Sequence, residues 1–107
     1  MQVEIANVEH PEKSRTLDFV LDSEAIKTVV PEDVLSELGI TPCVEDPGGR
    51  RRGVALFRYD DEHIGGGDVV FGEPGGPAVL SWITLGSLGF DLDRATGELK
   101  PMPMLLA

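Results

Sequence analysis

The 107-residue chain predicts a single, mostly β domain built as a small closed, barrel-like structure. Three observations predict this fold class. Residues Gln2 to Val8 alternate apolar and polar side chains. Leu17 to Asp22 is a β-prone apolar run that ends in an acid. Glycine and proline turn signals then recur along the chain, and only Pro31 to Leu38 has a clear helical pattern.

The first two strands predict a hairpin. A polar, turn-forming stretch over residues 9–14 separates the first strand from a second one over Thr16 to Leu21. The predicted helix then begins at Pro31, which suits a first helical position because no N–H is needed there. Gly39 follows this helix and suits the left-handed conformation that ends it.

The rest of the chain predicts short strands separated by turns. Residues 42–53 are expected to form a loop, and Gly65 to Gly67 to interrupt the chain. The expected elements are strands over 53–59, 68–71 and 78–80, a turn over 73–77, a brief helical turn over Thr84 to Leu88 and a hairpin over 90–100. Met102 to Ala107 is an apolar tail that we expect to form a subunit contact.

A short pattern repeats within the chain. The repeated residues are Leu35, Leu38, Gly39 and Ile40, which recur 50 positions later as Leu85, Leu88, Gly89 and Phe90. Each copy follows an apolar strand, so the repeat predicts a pseudosymmetric fold. Gene duplication and chance are equally good explanations of so few residues.

The charge balance excludes several partners. Nine basic residues stand against 19 acidic ones, which gives a formal net charge of −10. This excess repels phosphate, so we expect neither a nucleic-acid nor a membrane partner. Cys43 is the single cysteine, so no internal disulfide is expected. Met1 to Ile5 has no signal-peptide character and no apolar run could span a bilayer, so we expect a cytoplasmic location.

The main candidate functional residue is Asp22, at the end of an apolar run. A carboxylate at the end of a buried strand is costly unless it is paired or has a function. Asp22 is then followed by the hydroxyl of Ser23. From these residues alone, Asp22 is either a turn acid that local N–H groups satisfy or a catalytic acid.

The order of motifs resembles that of the retropepsin-like aspartic proteases, in particular their small bacterial members. An apolar strand leads into Asp22-Ser23-Glu24-Ala25, where the family has Asp-Thr/Ser-Gly-Ala. A short strand ending in proline and a helix ending in Leu-Gly follow. The family's second element, two apolar residues and a glycine before a short helix, corresponds to Val79-Leu80-Ser81 with Trp82 to Gly89. The resemblance covers nearly the whole chain.

The resemblance implies a peptidase that works as a homodimer, with Asp22 of both copies at one shared site and without metal or cofactor. Two adjoining carboxylates share a proton. The charged one then acts as general base on a water, and the protonated one polarises the scissile carbonyl. Ser23 retains the hydroxyl that in this family bonds across the dimer axis.

Several residues depart from the family's pattern. Glu24 and Ser81 replace glycines, and bulky Trp82 follows Ser81. In the family a hairpin called the flap closes over substrate. Residues 41–52 leave room for a reduced flap or for none. Three functions therefore stay open: a peptidase, an inactive homodimer that serves as a binding or scaffold module, and an acidic adaptor for basic peptides.

Other candidate residues have weaker patterns. Arg50 to Arg52 is the one basic run; it is either a substrate-facing clamp or a solvated segment paired with Glu45 and Asp46. The two histidines and Cys43 lack metal-ligand spacing, so no zinc site is expected. Trp82 is expected in the core or in a dimer interface.

Overall fold

The computed structural model describes residues 1–93 and 95–101, which form short strands and two helices. The predicted subunit contact of Met102 to Ala107 lies outside the described residues. The elements are β1 (Gln2–Ala6), β2 (Ser14–Asp18), β3 (Val20–Asp22), β4 (Thr28–Pro31), α1 (Glu32–Glu37), β5 (Val44–Glu45), β6 (Arg51–Arg58), β7 (Ile64–Gly72), β8 (Val79–Ser81), α2 (Trp82–Ser87), β9 (Phe90–Leu92) and β10 (Leu99–Pro101).

The main sheet is nearly closed. Its strand order is β2-β1-β6-β7-β4-β8-β3, with β5 paired to β6, while β9 and β10 form a separate two-stranded sheet. The first and last strands of this order, β2 and β3, are consecutive in the chain with Phe19 between them. The two ends of the sheet therefore adjoin, and the expectation of a mostly β, barrel-like domain is confirmed.

The predicted first hairpin is present, but its second strand is shorter than expected. β1 and β2 are antiparallel, with Val3 opposite Leu17. The run from Thr16 to Leu21 is not one strand, because the chain changes partner at Phe19. The Phe19 side chain is buried, and its backbone N–H donates to Met1 O at 2.8 Å. Beyond it, Val20 joins β8 instead of β1.

The core fills the interior of the curved sheet and the space beneath both helices. The alternation of β1 buries Val3 and Ile5, as the sequence predicts. Phe19 packs edge-on against Phe57 with ring centroids 6.2 Å apart. The other fully buried apolar side chains come from the sheet and from both helices: Leu35, Leu80, Leu85, Leu88, Val30, Val69 and Ala55.

The described residues form two helices of six residues each, where the sequence predicted one helix and a brief turn. In α1, Pro31 is the residue before the helix and not its first residue. In α2, the helix starts at Trp82 because the Ser81 side chain accepts a hydrogen bond from Thr84 N–H at 3.1 Å. Gly39 and Gly89 follow the two helices, and both have positive φ.

The predicted break at Gly65 to Gly67 is wrong, because these glycines lie inside β7. A Cβ on Gly65 would lie 2.5 Å from Ser87 Oγ and 2.7 Å from Ser87 O. Glycine at this position therefore lets the end of α2 approach the strand backbone. A Cβ on Gly67 would meet no atom within 4 Å.

Strand pairing follows a pseudo-twofold relationship with a shift of 50 residues. Val20 pairs in parallel with Val79, and Val70 pairs in parallel with Val29. Val29 also pairs with Val79 itself, in the antiparallel contact of β4 with β8. The pseudosymmetry predicted from the repeat is therefore present, while gene duplication stays a prediction. In this relationship the counterpart of Asp22 is Gly72.

Candidate functional site

Asp22 is the last residue of β3, at the point where two loops meet. It lies opposite Ser81 in the parallel register of β3 and β8. Residues 23–27 then form the loop to β4, and the N–H of Trp82 donates to Ala25 O in this loop at 3.2 Å. The two segments that the sequence singled out, Asp22 to Ala25 and Ser81 with Trp82, are thus joined by backbone contacts.

The Asp22 carboxylate is exposed in the single chain, and the expectation of a buried strand end is wrong here. β3 is the last strand of the sheet path and pairs only with β8 among the described strands. Its other edge is therefore unpaired, and the Val20 side chain is 57% exposed. Asp22 Oδ1 accepts the N–H of Glu24 at 2.9 Å, which fixes the carboxylate against its own loop.

Asp22 lies in an open groove of about 520 Å³. We call this the Asp22 groove; its lining residues are Asp22, Glu24, Ala25, Ile26, Lys27, Val29, Arg50 and Val79. Four of these side chains are apolar, and the charged ones include acids and bases. A peptide is a suitable occupant because it combines apolar side chains with hydrogen-bonding backbone groups. Glu24 shares the groove with Asp22, a placement that the sequence left undecided.

Arg50 reaches the groove from a hairpin that the sequence predicted as a loop. β5 pairs with the start of β6, with Glu45 opposite Arg51. Asp46 organises the turn because its Oδ1 accepts the N–H groups of Gly48 at 3.0 Å and Arg50 at 2.9 Å. The segment in which the sequence predicted a reduced or missing flap thus forms a short hairpin, and its last turn residue lines the Asp22 groove.

The other cations near the groove already have acidic partners. Arg51 pairs with Glu32, and its guanidinium lies 5.5 Å from the centroid of the Phe71 ring. Arg52 lies 3.7 Å and Lys27 lies 2.8 Å from the same Asp68 carboxylate. Two arginines of the basic run thus pair with acids, as predicted, but their partners are not Glu45 and Asp46.

Asp68 and Arg50 differ in how far their charges are compensated. The hydrogen bond from Lys27 is the main cause that lowers the pKa of Asp68, and Arg52 adds to it, against a smaller opposing effect of burial. Arg50 forms no ion pair with any described residue. Arg50 therefore brings to the groove a cation without an ion pair in the described chain, and it shares the groove with the carboxylates of Asp22 and Glu24.

Ser81 belongs to a buried cluster of hydroxyl groups that sequence reasoning missed. Thr28 Oγ1 lies 2.7 Å from Thr84 Oγ1 and 3.2 Å from Ser81 Oγ, and it accepts the N–H of Ser81 at 3.0 Å. Ser81 is 1% exposed. Its side chain therefore occupies the interior and not the Asp22 groove. The spacing of Ser81 and Thr84 is the N-cap signal that could have predicted this contact.

Trp82 is not in the core, so that part of the expectation is wrong. It is 48% exposed, and with Ser23, Ile83 and Phe90 it lines a second groove of about 460 Å³. Ser81 is the residue before α2, and its side chain points into the interior. The next two residues, Trp82 and Ile83, therefore point outward. The alternative that Trp82 lies in a dimer interface stays a prediction.

The remaining candidates show no metal geometry. Among the described residues, no three His, Cys, Asp or Glu side chains are grouped so that they could hold a metal ion. His63 Nδ1 lies 2.7 Å from Asp60 Oδ1, and its ring stacks on Phe90 at 4.5 Å. Cys43 is an exposed free thiol.

Within the described part of the chain, no helix is long and apolar enough to cross a membrane. No protein-family model, curated protein or solved structure matches the chain.

Proposed function

We propose that the chain is one subunit of a retropepsin-like aspartic peptidase that hydrolyses peptide bonds as a homodimer. The observation that carries the proposal is the position of Asp22: an acid at the end of a strand, beside the start of α2 and in a groove with apolar walls. The Arg50 hairpin borders the same groove, as a short flap would.

The proposed mechanism needs a second copy of the chain. The pseudosymmetric counterpart of Asp22 is Gly72, where a Cβ would lie 2.8 Å from Val29 Cγ1. The relationship within one chain therefore supplies no second acid. Asp22 of a partner copy would supply it, and the two carboxylates would share one proton and hold the attacking water between them.

Exposed apolar side chains support association near this site. Val20, Ile26, Trp82 and Ile83 are each about half exposed or more, at 57%, 60%, 48% and 49%. All four lie in the strand, loop or helix turn that surrounds Asp22. We call this set the Asp22 face. Apolar patches of this kind favour protein contacts, and a second copy would bring the two Asp22 side chains together.

An inactive homodimer is the second candidate, and the position of Glu24 favours it. Glu24 lines the same groove as Asp22, so a dimer would place four carboxylates near its axis. Carboxylates that lie close together repel each other. This repulsion would weaken either the association of the two copies or the binding of the reacting water. Such a protein would keep the fold and the groove as a binding or scaffold module.

The test is cleavage of a diverse peptide library, read by mass spectrometry from mildly acidic to neutral pH. The native protein is compared with Asp22→Asn. Cleavage that disappears in Asp22→Asn supports the peptidase, whereas a folded, dimeric native protein that cleaves nothing contradicts it.

Glu24→Gln separates a weakened enzyme from an inactive module. Removing the charge should raise cleavage roughly tenfold if repulsion limits the reaction. Glu73→Gln is the matched control, because Glu73 is an exposed acid in the loop before β8 and does not line the groove. Equal effects of the two substitutions would contradict a role of Glu24 in the site.

An acidic adaptor for basic peptides is the third candidate, favoured by the formal net charge of −10. It predicts salt-sensitive binding of lysine-rich peptides that survives Asp22→Asn. We also propose a cytoplasmic location, since an exposed free thiol such as Cys43 suits a reducing compartment. Cell fractionation with an antibody against the protein tests the location.

A further inference from the structure

We infer that Arg50 is a specificity-determining residue that selects peptides with an acidic side chain close to an apolar one. The inference rests on the proposal that the Asp22 groove takes peptides, and it names the substrate class. The observation behind it is that three consecutive arginines at one hairpin differ in their ion pairs and in whether they line the groove.

The neighbours of Arg50 are committed to contacts within the chain. Arg51 pairs with Glu32 and covers Phe71, and Arg52 shares Asp68 with Lys27. These contacts hold the start of β6 against α1 and β7. Arg50 alone of the three lines the Asp22 groove, and it forms no ion pair with a described residue.

The hairpin holds the Arg50 backbone in place. The N–H of Arg50 donates to Asp46 Oδ1 at 2.9 Å, and its carbonyl accepts the N–H of Asp46 at 2.9 Å. The backbone position from which the side chain extends is therefore set by a closed turn and not by a free loop. A guanidinium can bind a carboxylate through paired N–H groups.

The groove also supplies the apolar half of the preference. Ala25, Ile26, Val29 and Val79 line it together with Arg50. The other cation in the groove, Lys27, is bound to Asp68 at 2.8 Å. An apolar side chain of a bound peptide would pack on these residues, and a neighbouring Glu or Asp would reach Arg50. This preference is opposite to the one that the formal net charge of −10 predicts.

The experiment measures binding of three synthetic peptides to the Asp22→Asn protein, in which cleavage cannot remove the peptide. Each of the three represents a series with one shared apolar core, a Glu, a Gln and a Lys series, in which that residue is placed at each flanking position in turn. Fluorescence anisotropy of a labelled peptide gives the dissociation constant. We expect the best Glu peptide to bind about fivefold more tightly than its Gln counterpart, and this ratio to shrink with added salt.

Arg50→Gln should remove the preference, whereas Arg15→Gln should leave it unchanged. Arg15 is a matched control because it carries the same charge on β2, pairs with Glu37 at 3.0 Å and does not line the groove. A preference that persists in Arg50→Gln, tighter binding of the Lys peptide, or no binding of any peptide would overturn the inference.

The outcomes separate this inference from the proposed function. An acidic preference that depends on Arg50, without cleavage by the native protein, retains the inference and removes the peptidase. Cleavage by the native protein with no preference for acidic peptides supports the peptidase and overturns the inference. If Arg50→Gln changes the sedimentation mass but not the peptide preference, Arg50 serves subunit contact and the inference is overturned.

Discussion

Asp22 and Ser81 lie opposite each other in the parallel pairing of β3 and β8, and their side chains face different environments. Asp22 is exposed in the groove, while Ser81 is 1% exposed and bonded within the interior. One position in the pairing of β3 and β8 thus places the Asp22 carboxylate of the candidate site next to the buried hydroxyl cluster of Ser81, Thr28 and Thr84.

The hydroxyl cluster predicts a large effect of small substitutions. Ser81→Ala removes the acceptor for Thr84 N–H, and Thr28→Val removes the acceptor for Ser81 N–H. Each should lower the free energy of unfolding by about 1–3 kcal/mol, because a buried N–H is left without a partner. Urea denaturation measures the change. Ser36→Ala, at an exposed position of α1, is the control and should change little; equal losses at positions 36 and 81 would contradict the cluster's role.

The glycines of β7 predict opposite outcomes for neighbouring substitutions. Gly65→Ala should lower the free energy of unfolding by about 2 kcal/mol, because its Cβ would lie 2.7 Å from Ser87 O. Gly67→Ala should be neutral or stabilising by up to about 1 kcal/mol, because the position is open. Thermal and urea unfolding of the two variants check this difference. A stable Gly65→Ala protein would mean that α2 does not approach β7 this closely.

The Asp22 face predicts how the chain associates. Sedimentation should give twice the monomer mass of 11.5 kDa for the native protein. Ile83→Asp should raise the dissociation constant of the dimer at least about tenfold, because it places a charge in an apolar contact. Asp is tolerated at this position in the fold because it lies in the first turn of α2.

Val8→Asp is the control for association. Val8 and Ile83 are both 49% exposed, but Val8 lies outside the Asp22 face. The Val8→Asp protein should remain dimeric. A native protein that stays monomeric at high concentration would exclude the shared-site mechanism.

Asp68 predicts a loss of stability in acid. Its pKa in the folded state is lowered from 3.8, chiefly by the Lys27 hydrogen bond, so it favours folding above that pH. This contribution disappears as the pH falls through the lowered folded-state pKa. Because the Asp68 side chain is 45% exposed, solvent screening limits the contribution to at most about 1 kcal/mol.

Asp68→Asn should therefore be less stable than the native protein near neutral pH and equally stable in strong acid. Urea unfolding at several pH values measures the two curves. Asp61→Asn is the control, since Asp61 is exposed and forms no ion pair with a described residue. Parallel curves for the native protein and Asp68→Asn would contradict the role of the Lys27 contact.

The sequence by itself determined the strand-rich fold class, the first hairpin, the position of α1 and the residues of the two loops. These features follow from local patterns: alternation in β1, turn residues after it, and the proline and glycine that border α1. Asp22 could be named because an acid at the end of an apolar run stands out from its neighbours, whereas Ser81 and Trp82 were named from the resemblance to the retropepsin-like proteases.

Only the tertiary structure decided where those residues lie relative to each other. The run from Thr16 to Leu21 is divided at Phe19, because Phe19 is buried and its N–H donates to Met1, which is distant in the sequence. Gly65 to Gly67 continue a strand because they pair with β6, and α2 packs against Gly65. Arg50 reaches the Asp22 groove because a short hairpin brings it there. Ser81 turns inward because Thr28, far from it in sequence, receives its N–H. These are contacts between distant segments, and local sequence patterns carry no information on which distant segments will meet.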